Sequence, residues 1–222
     1  MRTATPTASK TPASKEKASV GAALYVAETP SNTGHDGGSK GSTGENALKS
    51  LYSKLMDVRA ATTALASPLS DADASVQSMP DASPAKWHLA HTSWFFEAFV
   101  LVPSVPGYAV YDSAYNYLFN SYYEQVGARH PRPQRGMITR PSLDDILAYR
   151  AHVDGALQDL AQSALAAGAA SLIELGLHHE QQHQELLLTD ILYLFAQNPL
   201  APAYVCPEGQ KTLTLPQFLS QP

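Results

Sequence analysis

The sequence predicts an all-α protein: an antiparallel four-helix bundle with a disordered N-terminal tail. Four segments carry apolar residues at three- and four-residue spacing, which is the period of an amphipathic helix. Connections rich in Pro, Ser and Gly separate them, and no strand-like alternation of any length occurs before residue 203. Long helices joined by short or medium connections pack as antiparallel neighbours. The expected organisation is a low-complexity tail over residues 1–45, the bundle over 46–204 and an irregular segment over 205–222.

Composition excludes several classes of protein. Hydrophobic residues make up 44% of the 222 residues and charged residues 16%, so there is enough apolar material for a sizeable core. A net charge of -5 argues against a nucleic-acid-binding protein, which usually carries a basic excess. No apolar run reaches the roughly 18 residues that a membrane span needs. A single cysteine, Cys206, rules out a disulfide framework, and without a signal-peptide pattern the expected location is the cytoplasm.

The first 45 residues differ in amino-acid composition from the rest of the chain. They consist largely of Thr, Ser, Ala, Gly and Lys, and they hold six of the 13 glycines. Such a segment buries too little apolar surface to offset the entropy lost on ordering it. We therefore expect a disordered extension.

The first two helices follow this tail. Residues 45–65 place Leu48, Leu51, Leu55 and Leu65 on one face. Ser83 and Pro84 then have the pattern of an N-cap followed by proline at the first helical position. The second helix is expected to reach about Val102, before two prolines. Its apolar stripe comprises Trp87, His91, Trp94, Phe95, Ala98 and Val102.

A tyrosine-rich stretch and a Pro/Arg loop separate these helices from the last two. The tyrosines at 108, 111, 115 and 122 fall at helical spacing, which favours packing into the core. A capping box of Ser142 and Asp145 predicts the start of the third helix, which extends to about Ala166. The fourth helix is expected from Ser171 to about Ala196.

Histidines on the inward stripes indicate a metal site. His179 and His183 are four residues apart, so they lie one turn apart on one face of a helix. His91 lies on the apolar stripe of another helix. Three histidines on two helices of one bundle, two of them at ligand spacing, predict a shared metal ion. His88 and His178 are rotated off these stripes, His178 by about 100° from His179, so neither is expected to contribute to metal binding.

The residues from His179 to His183 also fit the zinc-peptidase pattern His-Glu-x-x-His, in which the glutamate is the general base. Such a peptidase needs a third ligand further along the chain. The acids that follow are only Glu185, Asp190 and Glu208, and no histidine follows at the spacing of the extended motif. The pattern therefore argues weakly for a peptidase.

Three segments resemble the sulfoxide synthases of ergothioneine biosynthesis. They are residues 83–97 (SPAKWHLAHTSWFFE), residues 117–124 (YLFNSYYE) together with 129–136 (RHPRPQRG), and residues 179–185 (HEQQHQE). The resemblance covers about residues 48–204. It implies that the bundle is the DinB-like amino-terminal domain of that family.

The resemblance also implies a cofactor and a reaction. A mononuclear non-haem iron would be held by three histidines, here His91, His179 and His183. With iron(II) and O2, the family joins the sulfur of cysteine or γ-glutamylcysteine to the imidazole C2 of hercynine, giving a sulfoxide. Three neutral imidazoles leave open positions on the metal for O2 and a thiolate. The affinity order of divalent metals favours zinc over iron(II), so the residues leave both metals open.

Hydrogen bonds from the spare ring nitrogens should fix the tautomer of each histidine. The candidate acceptors are Glu180, Glu185 and Asp190, each of which has a surface acid or a helix pair as the alternative interpretation.

Arginines cluster in the Pro/Arg loop. Arg129, Arg132, Arg135 and Arg140 fall within twelve residues, and a planar guanidinium suits carboxylate recognition. The resemblance implies that arginines of this region bind the carboxylates of the thiol substrate, so Arg129, Arg132 and Arg135 are candidate substrate ligands. The alternative is a solvated basic loop that pairs with nearby acids.

Family members continue after the bundle into a second domain that resembles the formylglycine-generating enzyme. That domain supplies an active-site tyrosine and much of the hercynine pocket, whereas residues 203–222 do not resemble it. No catalytic residue can be assigned in this chain. We therefore expect the metal-binding part of a synthase, with the second domain encoded separately as a candidate partner. The alternatives are a stand-alone metal-binding bundle and a metal-dependent thiol transferase.

Overall fold

A computed structural model of the protein describes residues 40–121 and 127–204. It confirms the all-α prediction, since those residues contain helices and no strand. Residues 1–39 of the predicted tail (1–45) and the predicted irregular segment 205–222 lie outside the described residues, whereas residues 40–45 are helical. Within the described part of the chain, no helix combines the length and apolar character that crossing a membrane requires.

Four long helices form the bundle: α1 (Lys40–Ala66), α3 (Ala85–Phe96), α6 (Leu143–Ala161) and α7 (Ala166–Ala196). Three short helices lie between them: α2 (Asp71–Ser75), α4 (Val102–Ser104) and α5 (Tyr115–Phe119). A π-helix, Glu97–Leu101, joins α3 to α4, and a 3-10 helix spans Arg132–Met137. The helix boundaries differ from the predictions by a few residues. Helix α1 begins at Lys40 rather than at residue 45, and α7 begins at Ala166 rather than at Ser171.

Helix α3 is the central element. It packs on α6 and α7, and it also contacts α1, α2 and α5. All of its residues are buried, including the polar side chains of Lys86, His88, Thr92 and Ser93. The sequence predicted a single apolar stripe on this helix. Neighbouring helices bury its polar face as well, so burial extends beyond the predicted stripe.

The two predicted helix starts have different outcomes. At α6 the capping box forms as expected: Asp145 N donates to Ser142 Oγ (3.2 Å), and Ser142 N donates to Asp145 Oδ2 (2.9 Å). At α3 the prediction of a Ser83 cap is wrong, because Pro84 occupies the N-cap position without a side-chain cap. Ser83 Oγ accepts instead from Arg135 Nη1 (2.8 Å), and the backbone N of Ser83 donates to Asp190 Oδ2 (2.8 Å), which ties the start of α3 to α7.

A glycine allows α3 and α7 to approach closely. A Cβ placed on Gly176 would lie 2.4 Å from Cε1 of Phe96 and 2.9 Å from Cε1 of Phe95. Any side chain there would force the aromatic rings of α3 away from α7. Gly176 thus sets the helix separation next to the histidines of both helices.

The tyrosines partly follow the prediction of core packing. Tyr115 is buried, whereas Tyr111 is 40% exposed. Tyr108 is half-buried and donates to the buried Glu97 carboxylate (3.0 Å), which also accepts from Tyr149 (2.7 Å). Tyr122 lies outside the described residues. Two tyrosine hydroxyls therefore hold the side chain of Glu97, the first residue of the π-helix.

Candidate metal centre

The bundle brings His91 of α3 together with His179 and His183 of α7. One ring nitrogen from each histidine can be chosen so that all three lie within 4.8 Å of one another. The ring centroids of His179 and His183 are 4.6 Å apart, and that of His91 lies 4.7 Å from His183. His91 and His183 are buried and His179 is half-buried. Imidazole nitrogens bind a divalent ion at about 2.1 Å, so a small ring rotation would allow the triad to hold one metal ion.

The electrostatics of the site favour neutral imidazoles. Burial lowers the pKa of His179 to about 4. Burial also lowers the pKa of His91 and of His183 well below the usual range, and the neighbouring histidines add to both effects. Because a protonated imidazole cannot bind a metal, this environment keeps the triad in its ligating form at neutral pH.

Hydrogen bonds to the triad identify which ring nitrogens are available. Nδ1 of His91 lies 2.6 Å from the carbonyl oxygen of Phe119, so it carries the proton and leaves Nε2 bare. Nδ1 of His179 is buried and has no hydrogen-bond partner among the described residues. A buried nitrogen without a hydrogen-bond partner costs free energy unless another partner satisfies it. A metal ion bound by the triad would be such a partner. The donor set therefore fits a bound divalent metal.

Aromatic rings surround the triad. The indole of Trp87 stacks on His91 with centroids 4.6 Å apart and planes inclined by 12°. Trp94 stacks on His91 at 5.5 Å, and Phe95 contacts the ring of His179 at 4.8 Å. Such an apolar shell limits solvent access and strengthens electrostatic interactions in the site.

Glu180, a candidate hydrogen-bond acceptor for the histidines, has a different set of partners. Its side chain is fully buried and accepts hydrogen bonds from Arg59 (2.9 Å) and Arg150 (2.7 Å). Burial raises the pKa of Glu180, but these two guanidinium groups outweigh it and lower the value to about 2. A carboxylate shared by two buried arginines is a poor general base. This geometry weighs further against the peptidase interpretation.

The other two candidate acceptors, Glu185 and Asp190, differ in exposure and in their contacts. Glu185 is exposed on α7. Asp190 is half-buried, and its Oδ2 lies 3.0 Å from Nε2 of His88. Asp190 therefore reaches the triad through another histidine rather than directly.

His88 lies outside the triad, as the sequence predicts, but its environment differs from the expectation. It is only 2% exposed, and its Nδ1 lies 2.9 Å from Nδ1 of His183. A signal for its burial is present in the sequence, because residues 85–96 contain only one charged side chain. A helix with so little charge is buried on more than one face.

The candidate arginines have separate partners within the protein. Arg135 is buried, its guanidinium lies 3.3 Å from the centroid of the Trp87 ring, and its Nη1 donates to Ser83 Oγ (2.8 Å). Arg129 and Arg132 are exposed and donate to the backbone carbonyls of Ser121 and Asp81. Arg135 thus adjoins the histidines through Trp87, whereas Arg129 and Arg132 hold the loop backbone.

Comparison with known protein families gives one match. Residues 54–187, more than half of the chain, match the family described as the DinB superfamily. The matched range includes all three histidines of the triad. Among curated proteins, no significant match to this chain is found.

Proposed function

Because the chain belongs to the DinB superfamily, we propose that it is a metal-binding bundle that supplies the iron(II) centre of an O2-dependent sulfoxide synthase of ergothioneine biosynthesis. The observation that carries the metal site is the convergence of His91, His179 and His183, since one ring nitrogen from each lies within 4.8 Å of the others. The reaction rests on the resemblance of three segments to that family. Hercynine, O2 and cysteine or γ-glutamylcysteine are the proposed small-molecule partners.

His91, His179 and His183 would hold the iron(II), which would supply open coordination positions for O2 and for a substrate thiolate. The protein's contribution is to hold the three rings and to restrict water. Trp87 and Trp94 fix the plane of His91 by stacking, while Phe119 fixes its tautomer. Phe95 contacts His179 on the same side of the bundle.

Carboxylate recognition of the thiol substrate is proposed for the arginines of the loop. Arg129 and Arg132 are the better candidates, because they are exposed and their guanidinium groups each have several donors. Arg135 is buried on Trp87, so we assign it to shaping the site. Hercynine requires an additional surface, which we propose is the formylglycine-generating-enzyme-like domain, on the same or a separate polypeptide.

The first experiment measures the metal. The chain is purified without oxygen, stripped with a chelator, reloaded with iron(II) and analysed for iron by mass spectrometry. We expect one iron per chain. A folded protein that retains no iron under these conditions would contradict the proposed centre.

The second experiment measures the reaction. The iron-loaded 222-residue chain is incubated with O2, hercynine and either thiol, and the sulfoxide is sought by mass spectrometry. We expect little or no product from this chain alone, because misplaced hercynine loses the orientation on which the rate depends. Addition of the formylglycine-generating-enzyme-like domain should restore product. Multiple turnovers by the bundle alone would show that it carries the whole active site.

One observation favours a second candidate, a zinc-dependent thiol transferase. Three nitrogen ligands in an apolar shell also suit zinc, which such sites bind more tightly than iron(II). In this case the zinc-loaded chain would transfer a thiol to an electrophilic co-substrate, and the reaction would not need O2. Anaerobic thiol loss with zinc, absent in the His183→Ala variant, would identify this activity.

A further inference from the structure

His88 connects the triad to a carboxylate. Its Nδ1 lies 2.9 Å from Nδ1 of His183, and its Nε2 lies 3.0 Å from Oδ2 of Asp190. Both partners lie on α7, about two turns apart, whereas His88 lies on α3. Asp190, His88 and His183 thus form a continuous hydrogen-bonded row that ends at the triad.

The direction of each hydrogen bond follows from the chemistry of the groups. The Asp190 carboxylate can only accept, and it also accepts from the backbone N of Ser83 across 2.8 Å. The proton on that side must therefore be on Nε2 of His88. A neutral imidazole protonated at Nε2 has a lone pair at Nδ1, so His88 accepts a hydrogen bond from Nδ1 of His183. His183 then has a bare Nε2.

We propose that His88 is a positioning residue which, backed by Asp190, holds His183 in the Nδ1–H tautomer and so raises the affinity of the triad for a divalent metal. This inference rests on the proposed metal-binding function. It assigns His88 no contact with the metal. It predicts that the three ligands are unequal, since His91 donates to a neutral carbonyl whereas His183 donates to an imidazole backed by a carboxylate.

A purely structural role is the competing explanation, because His88 is buried and fills space in the core. Two variants separate the alternatives. Leucine at position 88 fills much of the space but can neither accept from His183 nor donate to Asp190. Glutamine offers both an acceptor oxygen and donor hydrogens. A positioning role therefore predicts a large defect for His88→Leu and a smaller one for His88→Gln.

The tautomer can be measured without any metal. The full chain is labelled with 15N in its histidine rings, and long-range 1H–15N spectra report which nitrogen of each ring carries the proton. We expect His183 protonated at Nδ1 and His88 protonated at Nε2 in the wild type. In His88→Leu the Nε2–H form of His183 should appear. A wild-type His183 protonated at Nε2 would overturn the proposal.

The effect on affinity is measured by titration with Co2+, whose visible absorption reports its ligands. Loss of such an outer hydrogen-bond partner typically weakens metal binding about 10- to 100-fold, which is the loss expected for His88→Leu. His88→Gln should bind more tightly than His88→Leu. The exposed His152 provides the matched control, and His152→Leu should equal the wild type. Wild-type affinity in a folded His88→Leu chain would overturn the proposal.

Two further results keep the test decisive. If His88→Leu does not fold, Asp190→Asn replaces it, since it keeps an acceptor oxygen but removes the charge. Weaker Co2+ binding by Asp190→Asn supports the inference, and unchanged binding contradicts it. If the wild type binds no Co2+, the proposed metal-binding function fails, while the tautomer of His183 still decides whether His88 positions it.

Discussion

Arg150 donates a hydrogen bond to Glu180 across 2.7 Å, and both side chains are almost completely buried. Arg59 donates to the other oxygen of the same carboxylate, so α1, α6 and α7 meet at one buried ionic cluster. Glu180 follows His179 in α7, so the cluster lies one residue along the helix from the triad but about 100° around it, on a different face.

Glu180→Gln should strongly destabilise the metal-free protein. The substitution removes the shared countercharge of two buried guanidinium groups, of which Arg59 keeps a second carboxylate partner in Asp154. Removing one partner of a buried ion pair costs about 3–5 kcal/mol. Urea denaturation in the presence of a chelator measures the free energy of unfolding. Glu185→Gln, on the same helix but exposed, should change it by less than about 0.5 kcal/mol. Equal stability of the two variants would show that the cluster contributes little.

Each of the substitutions His91→Ala, His179→Ala and His183→Ala should abolish stoichiometric metal binding or weaken it greatly. With two protein ligands left, a labile divalent ion is poorly held. Metal analysis of chelator-stripped and reloaded protein provides the measurement, and circular dichroism checks that the helices remain. His152→Ala serves as the control. Full metal content in the His91→Ala variant would show that α3 supplies no ligand to the metal.

Gly176→Ala should destabilise the bundle and weaken metal binding together. The new Cβ would lie 2.4 Å from Phe96, and overpacking of this kind costs about 1–3 kcal/mol. Displacement of Phe95, which contacts His179, would then disturb the triad.

The matched control for Gly176→Ala is Gly155→Ala in α6. Apart from its chain neighbours and the adjacent backbone of α6, no heavy atom lies within 4 Å of the new Cβ, and alanine stabilises a helix by about 0.5–1 kcal/mol relative to glycine. Opposite signs in thermal denaturation are expected for the two variants. A stabilising Gly176→Ala would show that α3 and α7 can separate freely.

Arg135→Gln should lower stability more than Arg140→Gln. Arg135 is buried against the face of Trp87, where a desolvated cation–π contact contributes about 2 kcal/mol, and it also donates to Ser83. Arg140 is exposed and donates to the neighbouring carbonyl of Thr139. Chemical denaturation of both variants measures the difference. Indistinguishable stabilities would show that Arg135 is available for another role, such as binding a carboxylate.

Much of the fold follows from local rules in the sequence. Helical periodicity predicts four long helices, and the Ser142–Asp145 capping box marks the beginning of α6 correctly. Ser83, followed by Pro84, also has a local N-cap pattern, but its Oγ accepts from Arg135 and its backbone N donates to Asp190, more than a hundred residues away. Distant partners thus bind both the hydroxyl and the backbone N of Ser83, and sequence spacing reports only the local cap.

The sequence by itself determined which helix faces carry histidines and that His179 and His183 lie one turn apart, because helical geometry fixes both. Only the tertiary structure decided how polar side chains pair across helices. The packing of α3 against three long helices buries its second face and brings His88 to His183, and it turns Glu180 towards Arg59 and Arg150. Such pairings depend on the separation and rotation of the helices, which are set by long-range packing. The helical period of a single segment carries no information about either quantity.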